Sequence, residues 1–374
     1  MKHSLVCLGL LVAAAPAQET HIVGPGGQFS EIDPAIDAAQ PGDIILVRAR
    51  SYDNFTVDKP VRLLGDPGAT IAGPGFHALG PAFTVRDIPA GEVAIIRGLD
   101  MPTSGGLVAS SATVINCAGL VHLENMLMSD SSSFRATDCA QVTVHECALG
   151  YATVDNSVVA FTDSSALGIL GLAEGAPALD ILSGRVVIAG GSYTGGAGFF
   201  GSGGPAIRVQ GGRLVLTGDA GTAVAAGTGL TPTPTAAIDV LAGELILDPT
   251  PTLTPAAGGP PVRTAAGATF IQRVVPALDV AVAGRTMTTS VRAASSSLAV
   301  VIASPIAPPL PLPGMDLWLS FSHIVIAQGT IPPTGLRVDS ISLPTLSAGT
   351  TSPVQAVVLG AGLSLSNPVM TRWD

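Results

Sequence analysis

Short bursts of alternating apolar and polar residues, divided by Gly, Pro, Ser and Asn/Asp turns, recur along almost the whole chain. Period-two alternation over four to six residues predicts strands, because successive side chains point to opposite faces of a sheet. Residues 178–188, 206–216 and 237–247 are three versions of one unit: a short strand, a glycine-containing bend and a second short strand. Their starts at Ala178, Ala206 and Ala237 lie 28 and 31 residues apart, and an earlier pair, 117–124 and 139–146, repeats at 22. A coil of a three-sheet helix of strands needs roughly 22 residues, and loops at 195–204 and 227–235 lengthen the later coils. Propeller blades repeat at about 40 to 50 residues. The pattern therefore predicts an all-β chain built around a right-handed parallel β-helix.

One segment breaks the strand period. Ser30 can cap a helix with Asp33 three residues on, and Ile32, Ala35, Ile36 and Ala39 fall on one helical face. The predicted helix, 30–39, stops at Pro41-Gly42 and would close the open end of a stack of coils, as terminal repeats must. Near Gly267 the coil repeat fades. Residues 274–303, 317–325, 336–343, 354–359 and 363–365 read as strands around a Pro-rich stretch at 305–313, which predicts a small antiparallel β-sandwich-like module. The expected organisation is a leader at 1–17, a β-helix at 21–273 and the module at 274–374.

The leader reading rests on Lys2 and His3, an apolar run from Ser4, and small residues at Ala15-Pro16-Ala17, which together predict export. No later run reaches 18 uninterrupted apolar residues, so no membrane-spanning segment is expected after its removal. Charged residues make up 12% of the chain and the net charge is −10, with only Lys2 and Lys59 as lysines. That balance would repel nucleic acid and acidic lipid. Of the four cysteines, Cys7 goes with the leader. If 117–124 and 139–146 are adjacent coils, Cys117 lies below Cys139 at about the 4.8 Å strand spacing, which permits a disulfide; a ladder of inward thiols packed as small apolar residues is the other reading.

Residues 28–65 carry a resemblance. Ala38-Ala39-Gln40-Pro41-Gly42-Asp43-Ile44-Ile45-Leu46-Val47, then Tyr52-Asp53-Asn54, then Lys59-Pro60-Val61-Arg62-Leu63-Leu64-Gly65 resemble the N-terminal signature of the pectin lyase-like β-helix superfamily. The resemblance implies the fold and a structural part for Lys59. It does not imply one activity, since the superfamily holds lyases, methylesterases, polygalacturonases and exported members without known chemistry. Residues 321–374 resemble, more loosely, an all-β module of secreted bacterial repeat proteins, which implies surface attachment or sorting.

The superfamily's catalytic sets are not legible here: neither the paired-Asp set of a methylesterase nor the Asn-Thr-Asp, Asp-Asp, Gly-His-Gly and Arg-Ile-Lys set of a polygalacturonase occurs. The densest polar group is His122, Glu124, Asp130, Asp138, His145 and Glu146. Aligned at 22 residues, Glu124 falls over Glu146 and the two histidines on opposite faces. Glu124, Glu146 and His145 are the candidate catalytic residues, against a bland reading as solvated outer-face residues. Tyr151, Tyr193, Phe199 and Phe200 could form a sugar-contacting strip, against packing within loops. The expectation is a non-catalytic exported protein with a structural or glycan-contacting role and a polysaccharide or cell-surface glycan as partner. The rival is a polysaccharide lyase or hydrolase. No cofactor and no metal is expected; Ca²⁺ enters only with the lyase, which must neutralise a uronate carboxylate.

Overall fold

The computed structural model describes residues 18–71, 81–102, 111–219, 221–231, 233–304, 310–312, 315–318, 324–342 and 350–373. The expected leader and most of the Pro-rich stretch lie outside these described residues. The chain is 52% strand and 2% helix. Among the described residues up to Gln272 the strands pair in parallel, in a sheet of 11 strands running from Thr20–Val23 to Thr269–Gln272, one of nine from Phe55–Val57 to Val262–Thr264, and one of five from Ala148–Leu149 to Thr252–Thr254. Successive coils add strands to the same walls, most completely to the 11-stranded one. This is a right-handed parallel β-helix, the hand that parallel crossovers take.

The alternation read from the sequence decides which side chains fill it. Val121 and Leu123, Val142 and Val144, Val159 and Phe161, Val186 and Ile188, Leu214 and Leu216 stack inward in the 11-stranded sheet, all essentially buried. Phe55 lies flat on Phe83, with ring centroids 5.6 Å apart, and Phe161 meets Phe134 and Tyr193 edge to face. The units at 178, 206 and 237 pair in the register of their sequence alignment, Leu179 to Ile207 to Ile238 and Val186 to Leu214 to Leu245. Corners are turned by residues with positive φ. Asn116, Asp138 and Asn156 form one corner ladder and Asn125, Glu146 and Asp163 another, positions where short polar side chains tolerate the left-handed region.

The helix is shorter than expected, Ile32–Ala38, and Ser30 does not cap it: the N-cap is Glu31, and no side chain caps it. Asp33 instead accepts a hydrogen bond from Thr56 N–H at 2.9 Å, tying the helix to the next wall. Ile32, Ala35, Ile36 and Ala39 are buried against the first coil. Lys59 sits at the other helix end and donates from Nζ to the carbonyls of Ile36, Asp37 and Ala39 at 2.8–3.2 Å. A cation there satisfies orphan carbonyls and complements the helix dipole.

From Ala277 onward pairing is antiparallel. Ala277–Ala283, Thr286–Arg292 and Leu336–Ser342 form one sheet; Ile324–Thr330, Leu298–Ala303, Thr350–Leu359, Leu363–Leu365 and Val369–Trp373 form another. Leu278 and Val291 of the first pack with Ala299, Val301, Val354 and Ala356 of the second. This sandwich lies on the side of the β-helix. Val187, Val215 and Ile246, outward residues of the 11-stranded sheet, form one apolar cluster with Val275, Leu317, Val357 and Leu365, while Trp318 covers Val158 and Ala160.

Candidate functional site

Two surfaces carry the chemistry. The first is the part of the 11-stranded sheet that precedes the docked sandwich. Here the strands pair in a register that differs from the 22-residue repeat. Leu120–Glu124 and Gln141–His145 pair at 21 residues, not 22: Val121 faces Val142, His122 faces Thr143, and Glu124 faces His145. The 22-residue register would have turned Thr143 into the core and Val142 and Val144 out to the surface, and burial of one face forbids that slip. The cysteines do stay in step, since Ala140 N–H donates to Cys117 O at 2.8 Å. The extra residue is absorbed between Cys117 and Leu120. Cys117, Cys139 and Cys147 are buried free thiols.

With the register fixed, His122, Glu124 and His145 share one outward face, and the expectation that the histidines oppose each other falls. Arg97 completes the row, Arg97 to Glu124 to His145. Glu124 Oε2 lies 3.5 Å from His122 Nε2 and Oε1 lies 3.7 Å from Arg97 Nε. His122, almost fully buried, is held at its other nitrogen by Thr143 Oγ1 at 2.7 Å. Burial alone would raise the Glu124 carboxyl; the hydrogen bond and charge of His122, with Arg97 and His145, outweigh it and hold the group below the usual range. Glu146 is not under Glu124. It occupies the corner with φ 50°, is largely exposed, and lies 3.8 Å from His145 Nε2. His145 Nδ1 is buried without a partner among the described residues. Asp130 and Asp138 are elsewhere: Asp138, in the opposite corner ladder, accepts from Asn156 Nδ2 at 2.7 Å.

One corner further along, Asp163 opens a cleft of about 350 Å³ between β-helix and sandwich, which Asp219, Asp279, Ser290 and Arg292 also line. Burial, then the neighbouring charges of Asp219 and Asp279, push the Asp163 carboxyl up, against the pull of His145. Arg97, Glu124 and His145 thus follow one another on successive strands, and Asp163 stands one residue past Thr162, the partner of His145 on the next coil. An ionised carboxylate beside a histidine, with a carboxyl of raised pKa beyond, is an arrangement able to divide acid and base roles. Sequence reasoning found Glu124 and His145 by density. It missed Arg97 and Asp163, which lie outside the two aligned units and are brought in by coil stacking alone.

The second surface is formed by the long loops. They are stacked coil segments, joined by bridges from Gly171 to Gly198 to Gly229. A β-carbon on Gly196 would stand 2.1 Å from Ile169 O, and one on Gly227 2.0 Å from Gly196 O, so only glycine lets these layers approach. The result is a groove of about 520 Å³, with Thr194 and Thr228 among its walls and Asp130 and Ser131 at one end. Beside it the loop tips present Leu170, Leu172, Phe199, Phe200 and Leu230, with Phe200 69% and Leu172 76% exposed. Tyr193, by contrast, is 1% exposed and belongs to the core, and Tyr151 donates to Asp180 at 3.3 Å. The four aromatic residues therefore divide between the two readings: Tyr193 packs inside, while Phe199 and Phe200 face solvent.

Fold and surfaces together define a class, a parallel β-helix with an antiparallel sandwich docked on one wall. No protein-family model matches the chain, and no curated protein matches it. No helix among the described residues is long and apolar enough to cross a membrane.

Proposed function

We propose that this is an exported, non-catalytic β-helix protein that contacts a glycan through its stacked loop face, and that it belongs to the pectin lyase-like superfamily. The observation that carries the glycan reading is the row of exposed Leu172, Phe199, Phe200 and Leu230 beside the glycine-floored groove. Contiguous apolar side chains exposed beside a groove mark a contact surface. Aromatic rings stack on the apolar faces of sugars, and hydroxyl and peptide groups in an adjoining groove can meet sugar hydroxyls. The coils repeat at about 4.8 Å along the axis, comparable to one sugar residue, so a glycan chain laid along the axis would meet successive loop tips in step. The superfamily assignment is supported by the part Lys59 takes at the cap helix.

The test is binding of purified mature protein to panels of neutral and acidic polysaccharides, by affinity electrophoresis and calorimetry. Phe199→Ala with Phe200→Ala, both at exposed positions, is expected to weaken binding at least tenfold without altering the melting temperature. Unchanged binding to every glycan retained by wild type would sink the assignment to this face.

A second reading, a polysaccharide lyase or hydrolase, is favoured by one specific observation: the row of Arg97, Glu124 and His145 on consecutive coils, with His122 beside Glu124. Following unsaturated or reducing-end products in the same panel separates the two. Product formation that disappears in Glu124→Gln would replace the binding reading by the enzymatic one.

A further inference from the structure

At the capped end of the β-helix one inward position breaks the rule that holds for the rest. His21 heads a row of paired inward residues that continues as Ile45, Leu63, Ile96, Leu123, Val144 and Phe161. Each of the others is apolar and essentially unexposed, and His21 itself is only 5% exposed. An imidazole in a core row costs stability unless it is matched, and any aliphatic residue would continue the pattern.

What surrounds it is a donor set. Asp43, 3% exposed, and Glu19, exposed at the rim, each bring a carboxylate oxygen so that one ligand atom from each of the three residues lies within 4.8 Å of the others. Asp43 is held rigidly, accepting N–H bonds from Glu19 and Gln40, each at 2.8 Å. His21 is fixed from the other side by Phe29, whose ring meets it edge to face at 5.7 Å. The gap from His21 Nε2 to Asp43 Oδ2 is 3.2 Å. Charge-assisted N–H···O bonds settle at about 2.7–2.9 Å. Two ligands of one tetrahedral ion with bonds of about 2.0–2.2 Å stand about 3.3–3.5 Å apart. The observed separation stands at the long end of ordinary N–H···O bonds and close to that of two ligands of one ion.

We propose that Glu19, His21 and Asp43 form a binding site for a divalent transition-metal ion of the Zn²⁺ kind, which staples the first strand to the turn before the second. One imidazole and two carboxylates suit Zn²⁺ or Mn²⁺, while Ca²⁺ takes six to eight oxygens and gains nothing from the imidazole. The sequence does not announce this site, because its ligands are spread over 25 residues and only the pairing of Thr20–Val23 with Ile44–Val47 unites them.

The experiment uses untagged mature protein stripped with a chelator and titrated with Zn²⁺, Mn²⁺ and Ca²⁺, with calorimetry for stoichiometry and thermal melting for linkage. Zn²⁺ is expected to bind one to one and to raise the melting temperature, with Ca²⁺ inert. Glu19→Gln, at an exposed position, should weaken Zn²⁺ at least tenfold while leaving the metal-free melt unchanged. His21→Leu continues the apolar row, so it should fold at least as stably as stripped wild type yet lose the Zn²⁺ response. A Zn²⁺ response that survives in both variants belongs to other groups and overturns the proposal, as does no one-to-one binding by wild type or a preference for Ca²⁺. In those cases His21 and Asp43 are a structural hydrogen-bonded pair only.

Discussion

Val215 tests the idea that the sandwich is held to the β-helix wall by an apolar stripe. Its side chain points outward, 1% exposed, between Val187 and Ile246 and against Val275 and Leu365 of the following segment. Truncation in Val215→Ala removes two carbons, about 1.6 kcal/mol of transfer energy at about 0.8 kcal/mol per carbon; with the cavity left behind the loss should be about 2–3 kcal/mol. Val215→Asp adds an uncompensated buried charge worth about 3–5 kcal/mol, enough to detach an intrachain interface, which is commonly weak. Leu214 and Leu216, which point into the core, are untouched, so the β-helix should keep its far-ultraviolet spectrum. Trp318, unexposed on Val158 and Ala160, reports the outcome. In a Trp373→Phe background its emission should shift to the red and become quenchable by acrylamide in Val215→Asp. The sign with pH follows: burial raises the introduced carboxyl, so the defect is fullest at neutral pH and shrinks as the pH falls through the raised folded pKa towards the unfolded value of about 3.9. A Val215→Asp protein whose Trp318 stays blue and protected at pH 7 would refute the docking argument.

Two further outcomes follow from the cap and the charged row. Lys59→Met removes a cation bonded to three helix carbonyls and should cost about 1–3 kcal/mol, seen as a lower denaturation midpoint and faster amide exchange confined to 32–38. Glu124 and Asp163 should respond to pH with opposite signs. The Glu124 carboxyl is depressed, so its contribution is present above the unfolded pKa of about 4.3 and is lost as pH falls through the folded value: wild type should melt above Glu124→Gln at neutral pH, and the two should converge in acid. The Asp163 carboxyl is raised, so its contribution is lost as pH rises through the folded value, and Asp163→Asn should melt above wild type at neutral pH. Parallel pH curves for either pair of proteins would contradict the electrostatics assigned to that residue.

How much was legible depended on what kind of contact was involved. The coils at 178, 206 and 237 could be aligned from sequence because inward residues alternate and a shared glycine marks each bend, and their register follows that alignment. The 117 and 139 units misled because the cysteines, the most conspicuous shared residues, lie outside the strands; the alternation of Val121 and Leu123 against Val142 and Val144 was the better guide. His122 and His145 were visible as polar residues in a strand-rich region, yet their common face followed only from that one-residue change.

The sequence by itself determined the strand period, the unequal coils, the cap helix and the change of architecture after about residue 273, because each is a local pattern that must agree with burial on one face. Only the tertiary structure decided that the sandwich lies on a wall, that the long loops stack into a glycine-floored groove, and that Arg97, Glu124 and His145 stand in one row. In a parallel β-helix, residues touch across a coil, at separations set by turn lengths that the strand pattern does not encode. One residue more or less in a turn changes which side chains are neighbours, and so what chemistry the wall can carry.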